Sequence, residues 1–158
     1  MKVPPAPIVA FVFVLSSVFA TSPEVVEPED NPFNGDVMIQ EEEGASGGSY
    51  VRTEKRYGPL FATPVPDGSE PLTIWVRARG HAVCLKAIDN EGTQTELKWI
   101  FGMPAEWSWR SFGTFDRGRL QSKLLIIRSD SATEDAGLDA VILSEDPGFD
   151  PNTMSPNS

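Results

Sequence analysis

The chain has four tryptophans, at positions 75, 99, 107 and 109, and they are its largest candidate contact surfaces. An indole is a broad, flat, apolar body with a single N–H donor, so its chemistry is stacking plus one hydrogen bond. Trp75 lies in the run Leu72 to Arg79, where Leu72, Ile74, Val76 and Ala78 alternate with Thr73, Trp75, Arg77 and Arg79. That alternation puts Trp75 and Arg77 together on the polar face of a strand. Trp99 and Trp107 flank the loop 102–106, a position that suits a solvent-facing rim. Trp109, two residues beyond Trp107, points the same way, so the two share either a core face or a binding face. Tyr50 follows Gly47-Gly48-Ser49, and Asn90 sits in the turn Asp89-Asn90-Glu91-Gly92. Exposed rings beside arginine and amide groups meet the flat C–H faces and flanking hydroxyls of a sugar. Trp99, Trp107, Trp75, Arg77, Tyr50 and Asn90 are therefore the candidate ligand-binding residues. Tryptophan in a small β-sandwich also packs cores, so each ring carries that second reading.

Catalytic groups do not stand out. His81 is the single histidine and falls in an expected turn. No nucleophile elbow, no metal-binding His pair and no Gly-rich phosphate loop is recognised. Two carboxylates suffice for glycoside hydrolysis, but among 23 acidic residues some pair is always available, and nothing promotes one pair over another. No catalytic residue is assigned, and the chain is read as a non-enzyme.

The elements that must position these residues are short. Extended runs are expected at Val37-Met38-Ile39, Tyr50 to Arg52, Tyr57 to Val65, Leu72 to Arg79, Val83 to Ile88, Thr95 to Ile100, Trp107 to Phe115, Lys123 to Arg128 and Leu138 to Leu143. Pro59 and Pro64 confine the third run to a sheet edge or a loop. Eight or nine short strands at 8–12-residue spacing, with no long helix, predict an all-β sandwich or jelly roll. Residues 1–20 have the layout of a signal peptide: Lys2, an apolar core from Ile8 to Phe19, and small residues at Val18 and Ala20 before a cleavage point. Residues 21–36, rich in Pro and acids, read as a flexible leader. Residues 37–151 form the expected domain, and 152–158 an exit tail.

The formal net charge is −10. Such a chain is repelled by phosphate backbones and anionic lipid, which argues against nucleic acid and against the membrane once a signal has been cleaved. The expected location is secreted or periplasmic. One cysteine, Cys84, excludes an internal disulfide, and its strand setting predicts a buried, inert thiol.

Several segments, in order, resemble the galactose-binding-like jelly-roll domains of the calcium-containing carbohydrate-binding module group. They are VMIQEEE (37–43), ASGGSYV (45–51), LTIWVRAR (72–79), WSWRSFGTF (107–115) and AGLDAVILSEDPGFDP (136–151). In that group two acids at i and i+2 of the first strand, with one acid of the last strand, hold a structural calcium. The resemblance places these roles at Gln40, Glu42 and Asp139, with Glu41 or Glu43 substituting if the register differs by one. It implies a non-catalytic glycan-binding module that recognises a polysaccharide, standing alone or docking to another secreted protein. The alternative is a structural or protein-interaction sandwich without sugar binding.

Overall fold

The computed structural model describes residues 24–30, 37–80, 82–120, 124–133 and 135–154. Among the described residues ten strands form two antiparallel sheets. They are β1 Glu24–Val26, β2 Val37–Glu41, β3 Ser49–Thr53, β4 Pro59–Pro64, β5 Leu72–Arg79, β6 Val83–Ile88, β7 Gln94–Ile100, β8 Ser108–Phe115, β9 Leu124–Ser129 and β10 Gly137–Ser144. One sheet has the order β2-β3-β10-β5-β8, with β1 added against β10; the other has the order β4-β9-β6-β7. Every expected run is a strand, and the two-layer sandwich follows from their patterning.

The core lies between the sheets and is built by alternation. In β5, Leu72, Ile74, Val76 and Ala78 are buried inward, while Trp75, Arg77 and Arg79 are half-buried on the outer face. Val83, Leu85 and Ala87 of β6 and Leu125 and Ile127 of β9 meet them from the other sheet. Each of the leucines, isoleucines and valines among them contributes about 1.5–3 kcal/mol by leaving water. The proline-bounded β4 is an edge strand, as a missing backbone donor requires. Cys84 is fully buried, and burial, with the nearby Glu96 charge adding, pushes its thiol up to about 11. It is an inert packing residue.

Two boundaries differ from the sequence reading. Residues 24–30, expected within the leader, belong to the sandwich: β1 pairs Glu24 with Leu143, Val25 with Ile142 and Val26 with Val141, and Pro28 is buried. A three-residue strand is too short to carry a period, and its prolines and acids disguised it. The tail also folds back: Asp150 caps a 3-10 turn at Pro151–Thr153, and Pro151 is buried. The expected signal segment, His81 and Lys123 lie outside the described residues.

Candidate functional site

Two devices on the first sheet build the site. The first is a register shift in β10 between Leu138 and Ala140. A bulge of this kind adds one residue and re-aims a side chain. Leu138 and Val141 stay in the core, and Asp139 sits between them fully buried, bonded to Arg77 and to the turn at Ser46. The second device is the turn at Ser46–Gly48. Gly47 and Gly48 have φ of 65° and 86°, a conformation that favours glycine. The turn aims the Ser46 N–H at Asp139 Oδ1, 2.7 Å away.

Arg77 donates through Nη1 to Asp139 Oδ2 and to the Gly44 carbonyl. Burial raises the Asp139 carboxyl to about 6; the hydrogen bonds and charge of Arg77 and the Ser46 N–H pull it down, and the Glu27 charge pushes it up. Glu42 has the opposite balance. Partial burial raises it, but hydrogen bonds from Arg79 and Trp107, with the Arg79 and Arg77 charges, hold it below the ordinary carboxylate value. One oxygen, Glu42 Oε2, accepts from Arg79 Nη1 at 2.8 Å and from Trp107 Nε1 at 2.6 Å. The Arg79 guanidinium carbon lies 4.3 Å from the Trp107 ring centre, and Tyr50 meets that ring edge-on at 5.1 Å. Trp107 is thus locked by an acid, a cation and an aromatic edge.

Beside this frame a cleft of about 660 Å³ opens on the outer face of the sheet. The loop 43–47 and the turn residues 151–154 contribute to its lining, together with Arg77, Trp107 and Trp109. Asp150 Oδ1 accepts from both the backbone N–H and the Nδ2 of Asn152, at 2.9 Å each, so Asn152 is held as it borders the cleft. Such a cleft offers indole surface for an apolar face and guanidinium, amide and hydroxyl groups for polar substituents.

The predicted ligand residues separate. Trp107 and Arg77 come together in the cleft. Tyr50, expected at a rim, is 1% exposed and is a correction to the sequence reading: β3 sends Val51 into the core and Tyr50 to the outer face, where Trp107 and Arg79 cover it. Trp75 is half-buried on the outer face between Ile142 and Ser111, and is not part of the cleft lining. Asn90 is exposed in the β6–β7 turn, and Trp99 lies on the opposite sheet, so neither lines the cleft. Asn152 and Ser46 were missed, and Trp109, though noted for its i, i+2 spacing from Trp107, was left off the candidate set. Gly44-Ala45-Ser46-Gly47-Gly48 has the spacing of a hydrolase nucleophile elbow, yet it joins strand to strand, and the Ser46 hydroxyl donates to Glu27 Oε1.

The expected calcium ligands also separate. Gln40 accepts from Arg52 at 2.8 Å, Glu42 is held by Arg79 and Trp107, and Asp139 by Arg77 and Ser46. Among the described residues no three acidic, His or Cys side chains form a closed metal cluster. The acids near the Ser46–Gly47 turn are instead Glu27 and Glu29, which stand at i and i+2 just after β1. A Cβ built on Gly47 would lie 3.2 Å from Glu29 Oε1 and 3.9 Å from Glu27 Oε1. Glu27 Oε2 is buried without a hydrogen-bond partner among the described residues. These are hard oxygen donors of the kind calcium takes, but together with Asp139, which is already held by Arg77 and Ser46, they do not form a closed metal-binding group.

No family model and no curated protein matches the chain. Solved structures do. The Podospora anserina mannanase carrying a family 35 carbohydrate-binding module superposes with a TM-score of 0.56 at 14% identity; the match covers 87% of this chain and 30% of that one. The family 36 module of a xylanase from the hindgut metagenome of Trinervitermes trinervoides gives 0.56 at 11%, covering 78% of this chain and 97% of the module. The family 6 module of a laminarinase from Zobellia galactanivorans gives 0.57 at 15%, covering 78% and 99%. The protein has the jelly-roll sandwich of carbohydrate-binding modules.

Proposed function

We propose that this protein is a non-catalytic, exported glycan-binding module, and that its site is the cleft bordered by Trp107, Trp109 and Arg77. The observation that carries the reading is the Trp107 ring, locked by Glu42, Arg79 and Tyr50 at the border of a polar cleft. A prefixed ring loses little entropy on stacking against a sugar. Arg77 has one nitrogen committed to Asp139 and Gly44, and the remaining guanidinium donors border the cleft to meet hydroxyls. Asn152 adds an amide from the C-terminal turn. The similar structures named above include modules from a xylanase, a mannanase and a laminarinase, which supports a polysaccharide ligand.

We further propose that a structural calcium would draw Glu27 and Glu29 towards Asp139 around the Ser46 turn, a grouping they do not form by themselves. At about a hundredfold excess over its dissociation constant such an ion contributes about 2.7 kcal/mol. We expect calcium to raise Tm by roughly 10 °C over protein in chelator, measured by circular dichroism. An unchanged Tm would remove the ion from the reading.

The functional test is affinity electrophoresis in soluble xylan, galactomannan and laminarin, with calcium present. Retardation by at least one polysaccharide is expected. Trp107→Ala and Trp109→Ala should each weaken it about tenfold or more. If all three polysaccharides leave the folded protein unretarded, the protein-interaction reading replaces this one.

A further inference from the structure

The second aromatic feature of the molecule lies on the other sheet, away from the cleft. Ile100 of β7 packs into the core, so Trp99, one residue earlier, faces outward. Trp99 Nε1 donates to Glu96 Oε1 at 2.6 Å, which fixes the indole on its strand. Beneath it the cross-strand partner is the buried Cys84. Phe101 stacks on Trp99 with ring centres 5.5 Å apart and planes 13° from parallel. Gly102, at φ 68°, then turns the chain away. Phe101 is nonetheless 71% exposed, the most exposed of the large apolar side chains described. A side chain that gains nothing from the core and is held in an ordered stack at the end of a strand is arranged for contact with something outside.

We propose that the Trp99–Phe101 stack is a second glycan contact, on the opposite face of the sandwich from the cleft, and that the protein therefore holds two sugar segments at once. The inference shares with the proposed function only the class of ligand. The stack presents flat ring surface for a pyranose C–H face, and the Glu96 carboxylate beside it accepts from hydroxyls. The apolar contact is two rings wide, far short of the roughly 1,200–2,000 Å² that a stable protein interface buries. Its flanking residues Glu96 and Lys98 are exposed and charged, which also favours a hydrated, hydroxyl-rich ligand over an apolar protein surface.

The experiment compares the parent protein with Phe101→Ala, Trp107→Ala and the double variant in gels containing soluble xylan, galactomannan or laminarin, and follows turbidity of the same mixtures in solution. Phe101 is exposed, so its replacement should leave Tm unchanged. The expected result is that Phe101→Ala weakens retardation by roughly three- to tenfold, that Trp107→Ala leaves a residual retardation which the second substitution removes, and that either single substitution abolishes turbidity from cross-linking. If Phe101→Ala migrates like the parent in every gel, the second contact is overturned while the cleft stands. If Trp107→Ala migrates like the parent and Phe101→Ala does not, the stack stands and the cleft falls. Free migration of the parent in all gels overturns both.

Discussion

Glu42 Oε2 is the atom on which the order of the cleft rests, since Arg79 and Trp107 both donate to it. Its carboxyl is held below the ordinary value, so the folded state favours the charged form. A group depressed on folding adds stability above its unfolded pKa, near 4.5 here, and loses it as pH falls through the folded value. Stability of the parent should therefore decline below about pH 4.5 more steeply than that of Glu42→Gln, which keeps an acceptor but no charge. Urea midpoints measured across that range would decide it, and parallel curves would show that Glu42 is not coupled to folding. Glycan affinity should fall in the same window, because Trp107 loses its anchor.

At the scale of elements, β10 links most of what matters. Its bulge sets Asp139 against Arg77, its far half receives β1, and its first residue, Gly137, lies against the ring that supports Trp107. A Cβ on Gly137 would come within 2.6 Å of Tyr50 Cδ2 and 3.0 Å of the Val51 carbonyl. Gly137→Ala should therefore cost about 1–3 kcal/mol, as overpacking does, and should also weaken glycan binding by displacing Tyr50 beneath Trp107. Denaturant titration beside affinity electrophoresis separates the two effects. A variant with normal stability and normal affinity would mean that Tyr50 does not position the indole. β1 matters in the same way: a chain lacking residues 21–30 should lose its calcium response in Tm, since Glu27 and Glu29 leave with the strand. A persistent response would place the ion elsewhere.

On the scale of the whole molecule, a net charge of −10 sits beside a cleft whose arginine is already paired with a buried aspartate. Binding of a neutral polysaccharide through stacking and uncharged hydrogen bonds should barely respond to salt. Raising NaCl to about 0.5 M, where the Debye length shrinks to a few ångström, should change the dissociation constant by less than about twofold. A steep loss of affinity would instead mark an anionic ligand held by Arg77. The two aromatic sites face opposite ways, so the sandwich serves as a spacer that keeps them from sharing one sugar ring.

How much was legible in the chain depended on whether a feature was periodic. Leu72 to Arg79 announced its buried and outward faces because alternation is a local property of a strand, and nine such runs together fixed the class of fold. Trp107 and Arg77 were recognisable for the same reason. Tyr50 was misread because Trp107 and Arg79, distant in sequence, close over its ring on the outer face. Glu27 and Glu29 were overlooked because β1 is only three residues long and pairs with β10 from more than a hundred residues away, a proximity no local pattern encodes. Asn152 borders the cleft only because the chain after β10 folds back over the sheet. Residue type and alternation belong to the sequence; which acid neutralises which arginine, and which loops close on one cleft, are decided when distant strands pair.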